Sequence, residues 1–236
     1  IESIARSFAA DGFNLKQVFK ALAVSPFYRA DGLATVAEHP RRRAELDDLG
    51  IVRLLSPEQL ERKIEAIFGK PWGRLHEQTA ILYGGIDSKE ITERIADPSG
   101  AMGSIQRTMA NDVACKNVAL DFARKPDERV LFPAIEPDVL PGVSTDDDKR
   151  IREAIVYLHE RLLGRLDKID DPEVERTFAL FAGIIADAKA NKNVESDESY
   201  FCRAVENQRV IDKQYTIRAW RAVVTYLLRQ QEFLYE

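Results

Sequence analysis

Histidine side chains can exchange protons near neutral pH, and this chain has three of them, His39, His76 and His159. None has a second histidine three or four positions away. The segment "HEQTA", which begins at His76, has Ala80 where a HExxH zinc site needs its second ligand. The spacing therefore predicts no zinc centre. We interpret the histidines as surface or capping groups, and keep His76 and His159 as candidate acid or base groups.

Carboxylates are the second kind of side chain that could do acid–base chemistry, and Asp112 is a further candidate. Asp112 and Asp121 are predicted to lie on one helix but on rather different faces, which is poor geometry for a carboxylate pair. The run of three aspartates at positions 146–148 lacks the glycine and the distant glutamate of an EF-hand loop. We interpret that run as helix capping.

The two cysteines, Cys115 and Cys202, are too far apart in sequence for a CxxC redox pair or a zinc cluster. Neither begins a CxxCH motif, so haem attached through such a motif is excluded in this chain. Two interpretations stay open: two buried thiols, or a disulfide that ties two helices together. We expect no cofactor in this chain.

The composition is that of a soluble globular protein, with 45% hydrophobic and 31% charged residues in a chain of 236. The formal net charge is −5, and basic and acidic residues are interleaved, which argues against a nucleic-acid surface. No apolar run approaches the roughly 20 residues that cross a bilayer. We therefore expect no nucleic-acid partner and no transmembrane segment.

Apolar residues recur at helical spacing along most of the chain, which predicts an all-α fold of about eight to ten helices in an irregular assembly. The most complete signals stand in "SPEQLERKIEAIFG". There Ser56 is the predicted N-cap, Pro57 the first helical residue, Gln59 the partner in a capping box and Gly69 the left-handed terminus.

Similar signals predict the other helices. Asn14 caps a helix that ends at Ser25-Pro26, and Asp87 or Ser88 caps one before Pro98. Four further helices are predicted from stripes of apolar residues, and a short one is placed at about 199–208. The stripes are Met102, Ile105, Met109, Val113, Val118 and Phe122; Ile151, Ile155, Leu158, Leu162, Leu166 and Ile169; Val174, Phe178, Phe181 and Ile185; and Ile217, Trp220, Val223, Val224, Leu227 and Leu228.

The chain begins at Ile1, without methionine, in a stretch that already has a helical pattern. With an offset of 206 positions, Val18 matches Val224 and Leu22 matches Leu228. We therefore expect residues 1–29 to be the closing helices of an upstream module, 30–54 to be a connector, and 55–236 to be the main helical domain. On this interpretation the chain is a processed fragment or part of a longer polypeptide.

Five stretches carry a family resemblance: "FNLKQVFKALAVSPFYR", "RLLSPEQLERKIEAIFG", "LYGGIDSKEITERIADPSGAM", "MANDVACKNVALDFARKPDERVLFP" and "RAWRAVVTYLLRQQEFLYE". Together they resemble the C-terminal helical modules of undefined function in large secreted proteins of planctomycetes and myxobacteria-like bacteria. Many of those proteins carry a c-type cytochrome domain. The resemblance implies a periplasmic or extracellular location, and haem c on a partner or an upstream domain.

Three possible functions follow from these observations. The first is a non-catalytic assembly or docking module, associated with a c-type cytochrome or an electron-transfer complex. Its partner would be an upstream fragment of the same polypeptide or a haem-bearing protein. The alternative is a secreted enzyme, an oxidoreductase or hydrolase, with His76, Asp112 or His159 in a cleft between helical units. A cytosolic helical scaffold is a third possibility, and a disulfide would argue against it.

Overall fold

Helices form every long element in the part of the chain that the computed structural model describes, namely residues 2–24, 53–87, 89–95, 98–191, 199–200 and 210–235. Within these ranges there are nine α-helices, one short 3-10 helix and one two-residue antiparallel ladder. The prediction of an all-α, multi-helix fold is confirmed. The chain divides into two units, Ile1–Arg53 and Leu54–Glu236. Of the predicted connector at 30–54, only 53 and 54 lie among the described residues.

The described part of the first unit is a helical hairpin. Helix α1 (Glu2–Ala10) packs against α2 (Leu15–Ala23). The turn between them uses positive φ angles at Gly12 and Phe13. Asn14 then caps α2, as predicted, by accepting a hydrogen bond from the Lys16 amide at 3.1 Å. The predicted terminus at Ser25-Pro26 lies outside the described residues.

The second unit contains the other seven α-helices. In chain order its elements are α3 (Pro57–Phe68), α4 (Glu77–Leu82), α5 (Gly100–Ala123), the 3-10 helix (Pro126–Glu128), α6 (Thr145–Leu163), α7 (Pro172–Ala190), β1 (Ser199–Tyr200), β2 (Val210–Ile211), α8 (Thr216–Leu227) and α9 (Gln231–Leu234). Helix α8 packs against α5, α6 and α7, so it lies at the centre of the unit. None of the helices in the described ranges is both long and apolar enough to span a membrane.

Side-chain caps fix where several of these helices begin. The predicted capping box of α3 is complete, because Ser56 Oγ accepts from the Gln59 amide at 3.2 Å and Gln59 Oε1 accepts from the Ser56 amide at 2.9 Å. Gly69, at φ 80°, ends α3 as predicted. At the starts of α6 and α7, the side chains of Ser144 and Asp171 each accept a hydrogen bond from a backbone amide of the first turn.

Aromatic rings from several elements meet in the core of the second unit. Trp220 of α8 lies 4.3 Å from Phe181 of α7 and 5.2 Å from Phe132, measured between ring centroids. Phe132 in turn stacks on Phe122 of α5 at 4.4 Å. All four rings are buried. The ends of the unit also meet, since the Leu55 amide donates to the Leu234 carbonyl at 3.0 Å.

The helix predicted after Asp87 does not form across the described residues up to 95. Asp87 Oδ1 does accept hydrogen bonds from the amides of Lys89, Glu90 and Ile91, as an N-cap would. However, the Asp87 amide donates to the Ile91 carbonyl at 3.0 Å, and the Ile95 amide donates to the Gly84 carbonyl. These bonds fold the segment back on itself, so the capping signal produces a turn instead of a helix.

Two other boundaries differ from the predictions. Helix α6 ends at Leu163 because Gly164 takes a left-handed conformation at φ 70°, so Leu166 and Ile169 lie beyond the helix. Leu166 is 84% exposed. The predicted helix at about 199–208 does not start at Ser199, because residues 199–200 pair with 210–211 in the antiparallel ladder. Residues 201–209 lie outside the described ranges.

Candidate functional site

Asp112, on α5, fixes the loop that follows α3. Its Oδ2 accepts a hydrogen bond from the indole Nε1 of Trp72 at 3.3 Å and lies 3.0 Å from a guanidinium nitrogen of Arg74. Trp72 is buried, whereas the Asp112 side chain is 29% exposed. The carboxylate is therefore paired with a cation and bonded to an indole. Both contacts are made through Oδ2, and together they anchor the loop to α5.

The same loop is held from its other side by Glu61 of α3. Glu61 Oε1 accepts hydrogen bonds from three successive amides, those of Gly73 at 2.9 Å, Arg74 at 3.1 Å and Leu75 at 3.0 Å. Gly73 has a φ of 76°, which a glycine adopts without strain. Anchors on both sides give the loop one defined conformation.

A cavity of about 280 Å³ lies between this loop and α5. Its apolar walls come from α3, the loop and α5, and its polar lining consists of two lysines and one asparagine. The apolar residues are Ile64, Pro71, Trp72, Val113 and Leu120. The polar residues are Lys70, Lys116 and Asn117. Asp112 lies beside this cavity, because it holds the indole of Trp72 that forms part of the wall.

The interpretation of His159 as a surface or capping group is wrong, because it lies in a buried polar network inside the last turns of α6. Its Nδ1 is 2.6 Å from Asp167 Oδ2, and its Nε2 is 3.0 Å from Thr177 Oγ1 on α7. The threonine hydroxyl donates its single proton to the carbonyl of Glu173 at 2.9 Å. The threonine oxygen can then act only as an acceptor, so His159 donates to it from Nε2, and the 2.6 Å contact between Nδ1 and Asp167 requires a second, shared proton.

The order acid, imidazole, hydroxyl is that of a nucleophilic triad. Here the hydroxyl cannot act as a nucleophile on a substrate, because Thr177 is 1% exposed and already donates to the backbone. Arg165 adds a charge to the network through its ion pair with Asp167 at 3.1 Å. The cluster joins the end of α6, the following turn and the first turns of α7. Its evident role is to fix these elements against one another.

His76 precedes α4 as its N-cap residue, is exposed, and makes no capping hydrogen bond with its side chain. Within the described ranges, no hydrogen bond or ion pair joins any two of His76, Asp112 and His159. The enzyme alternative needs at least two of them in one cleft. No direct contact of this kind joins them, so no acid–base pair is assigned from them.

Cys115 of α5 is bonded in a disulfide in the structure, and it is therefore not a free thiol. The other cysteine of the chain, Cys202, lies outside the described residues. For metals, the part of the chain that is described holds no group of three or more His, Cys, Asp or Glu side chains placed to bind an ion.

The hairpin has an exposed apolar face. Leu15 and Phe19 of α2 lie on one side of the helix and are 63% and 69% exposed, and Phe13 in the preceding turn is 70% exposed. Side chains of this size are usually covered when they cluster, and a contiguous apolar patch on a helix commonly marks an interaction surface. The hairpin is the second candidate site of the molecule.

No motif or spacing in the sequence predicted that the cavity residues lie together, or that Asp167 and Thr177 contact His159. The segment "KPWGR" carried a signal, because a tryptophan between proline and glycine, flanked by cations, is unusual for a plain surface loop. The partners of His159, Asp167 and Thr177, had no signal of this kind. Comparisons with models of known families, with curated proteins and with solved structures found no match to this chain.

Proposed function

We propose that this chain is an assembly module whose α1–α2 hairpin binds a helical partner. The observation that carries the proposal is the exposed apolar face of α2, formed around Leu15 and Phe19. Covering such side chains removes apolar surface from water, which contributes a favourable free energy of about 25 cal/mol for each Å² buried. Because α2 is amphipathic, a groove between helices is the surface that would match it.

The properties of the partner can be inferred from the residues of α2 and from the surroundings of the similar helix α8. The residues that match α2 at the C-terminal end of the chain, Val224 of α8 and Leu228 directly after it, are fully buried in a helical unit. Helix α2 also carries Lys16 and Lys20 along one edge of its apolar face and has no acidic residue. The proposed partner is therefore a helical module with an apolar groove and an acidic rim. An upstream module of the same polypeptide is our first candidate.

The proposed compartment is oxidising, periplasmic or extracellular. The disulfide at Cys115 supports it, because disulfides persist outside the reducing cytosol. The association with a c-type cytochrome rests on the resemblance of the sequence to secreted cytochrome-linked modules. In that arrangement haem c is carried by the partner or by an upstream domain, and this chain contributes the docking surface to an electron-transfer complex.

The test uses the protein isolated from its source under native conditions. Native mass spectrometry gives the mass of the assembly, denaturing mass analysis identifies its chains, and a visible spectrum of the same sample detects haem. We expect the chain to be isolated with a helical protein and a Soret band. A lone 26.7 kDa monomer would overturn the docking proposal, and a helical partner without a Soret band would overturn the cytochrome association.

A matched pair of variants locates the binding surface. Leu15→Glu places a charge in the apolar face of α2, and we expect it to release the partner. Leu166→Glu makes the same change at a leucine that is 84% exposed in the second unit, and we expect the partner to stay bound. If both variants keep the partner, or if both lose it, the hairpin is not the docking surface.

A further inference from the structure

The cavity beside Trp72 belongs wholly to the second unit, and the proposed docking function does not use it. Its walls are held in place without a ligand, because Glu61 bonds three amides of the loop and Asp112 bonds the Trp72 indole. A site that is already ordered loses little conformational entropy when it binds a ligand. Walls that are held in one conformation distinguish a binding cavity from a transient gap between helices.

The walls favour a flat, apolar ligand body. Trp72 donates its only N–H to Asp112, so the surface that it adds to the cavity is its carbon framework. Pro71 adds a second rigid ring, and Ile64, Val113 and Leu120 complete the apolar lining. Indole and pyrrolidine surfaces pack well against an aromatic ring.

The charges of the lining favour an anion. Lys70 and Lys116 both line the cavity, and no acidic side chain does. Across the described residues neither ammonium group has a carboxylate within ion-pair distance, whereas the nearby Asp112 is neutralised by Arg74 at 3.0 Å. Asn117 uses one of its two side-chain N–H groups on the Val113 carbonyl at 2.8 Å. The two lysines are therefore the cationic donors for a ligand, beside the second N–H of Asn117.

We propose that this cavity binds a small monocarboxylate with an aromatic body, its carboxylate between Lys70 and Lys116 and its ring against Trp72. The volume of about 280 Å³ limits the size. Ligand cavities commonly range from about 300 to 1,000 Å³, and this one lies just below that range, so we expect a ligand of at most two fused rings.

The test titrates the protein with 2-naphthoate and follows the two tryptophan indole N–H signals in ¹H–¹⁵N spectra, assigned with Trp72→Phe. We expect a saturable shift of the Trp72 signal and little change at Trp220, which is fully buried in the core. Lys116→Met keeps the aliphatic stem and removes the charge, and we expect about tenfold weaker binding. Lys149→Met, a lysine on α6 that does not line the cavity, is the control with unchanged affinity.

A neutral probe of the same shape, 2-naphthalenemethanol, separates the two parts of the proposal. We expect it to bind more weakly than 2-naphthoate and with the same affinity in the wild type and in Lys116→Met. Lys70→Met, in the exposed loop, supplies a second charge variant should Lys116→Met fail to fold. The proposal is overturned if neither probe gives a saturable Trp72 shift, or if 2-naphthoate binds the wild type and both cavity variants equally well.

Discussion

Helices α2 and α8 carry similar residue patterns and have opposite surroundings. Val18 and Leu22 of α2 match Val224 and Leu228 of the C-terminal segment, at an offset of 206 positions. Leu22 is 44% exposed, whereas Leu228 is fully buried. An apolar stripe therefore specifies that a helix will form, but it does not specify how deeply the stripe is buried.

The difference lies in the neighbours of the two helices. Helix α8 packs against α5, α6 and α7, and its Trp220 contacts Phe132 and Phe181. Among the described residues of its own unit, α2 has one helical neighbour, α1. A two-helix hairpin cannot enclose an apolar stripe on both sides, because each helix presents only one face to the other. We therefore expect the second unit to contribute most of the free energy of unfolding of the described fold.

The largest expected effect tests this expectation at a matched pair of leucines. Leu228→Ala removes a fully buried side chain, and we expect it to lower the free energy of unfolding by about 2–5 kcal/mol. Leu22→Ala removes a partly exposed one, and we expect a loss of at most about 1 kcal/mol. Urea unfolding followed by tryptophan fluorescence measures what each change does to the second unit, because Trp72 and Trp220 both lie in that unit.

Equal losses of unfolding free energy in the two variants would contradict this expectation. They would mean that the hairpin and the second unit unfold as one cooperative body, so that the exposed face of α2 is not an independent surface. An unchanged dependence of the free energy on urea concentration in both variants would show that each still unfolds in the same two-state transition.

The second largest expected effect on stability concerns a buried carboxylate of the second unit. The helices of the hairpin contain no buried residue. Asp121 of α5 is 2% exposed and accepts hydrogen bonds from the amides of Val130, Leu131 and Phe132 at 2.8–2.9 Å. These bonds hold Phe132 against Trp220. Asp121→Asn replaces one acceptor oxygen with an N–H donor that faces an amide. We expect a loss of about 1–3 kcal/mol in the free energy of unfolding.

Asp112→Asn is the matched control, because Asp112 lies on the same helix and is 29% exposed. We expect the smaller loss there, measured by the same urea titration. A larger loss at Asp112 than at Asp121 would show that the loop beside the cavity, and not the turn after α5, is the critical contact of this helix.

Local signals predicted the helices well where the chemistry that starts or ends a helix is itself local. The capping box of Ser56 and Gln59 and the left-handed Gly69 were confirmed, because each involves residues at most four positions apart. Asp87 shows the limit of such signals. Its side chain accepts the expected amide bonds, but the longer-range bond from Ile95 to Gly84 decides that the segment turns.

The candidate sites were less predictable for the same reason. Trp72 and Asp112 are forty positions apart, and Arg161 reaches the Ile67 carbonyl across a still longer separation. No periodicity or spacing rule connects such positions, because their contacts depend on how the helices pack. The exposed face of α2 had the clearer signal, since its helical pattern and its match to the C-terminal segment are both visible in the sequence.

Caps of the two units provide a third test, with effects of about 1 kcal/mol. Asn14→Ala removes the cap of α2, and Ser56→Ala removes the cap of α3. We expect the first change to speed amide hydrogen exchange in α2 and to leave the free energy of unfolding of the second unit unchanged. The second change should lower that free energy. If Asn14→Ala destabilises the second unit as much as Ser56→Ala does, the two units are coupled.

The smallest effect appears only at alkaline pH. Burial, and then the nearby Tyr235, raise the pKa of Tyr83 above its usual value of 10.0. An unfolded tyrosine loses its proton near that pH, whereas the folded one keeps it, so the free energy of unfolding decreases as the pH rises above 10. Tyr83→Phe removes this contribution, and we expect its stability to fall less steeply there than that of the wild type.

The alkaline test also separates the two regions, because residues 2–24 contain no tyrosine. Any loss of stability from tyrosine ionisation in the described residues therefore belongs to the second unit, where Tyr83 accepts a hydrogen bond from Gln106 at 3.3 Å. Hydrogen exchange in α2 should respond to pH in the same way in wild type and Tyr83→Phe, once the intrinsic exchange rate is corrected for. A difference in α2 between the two proteins would show that the hairpin is stabilised by the folded second unit.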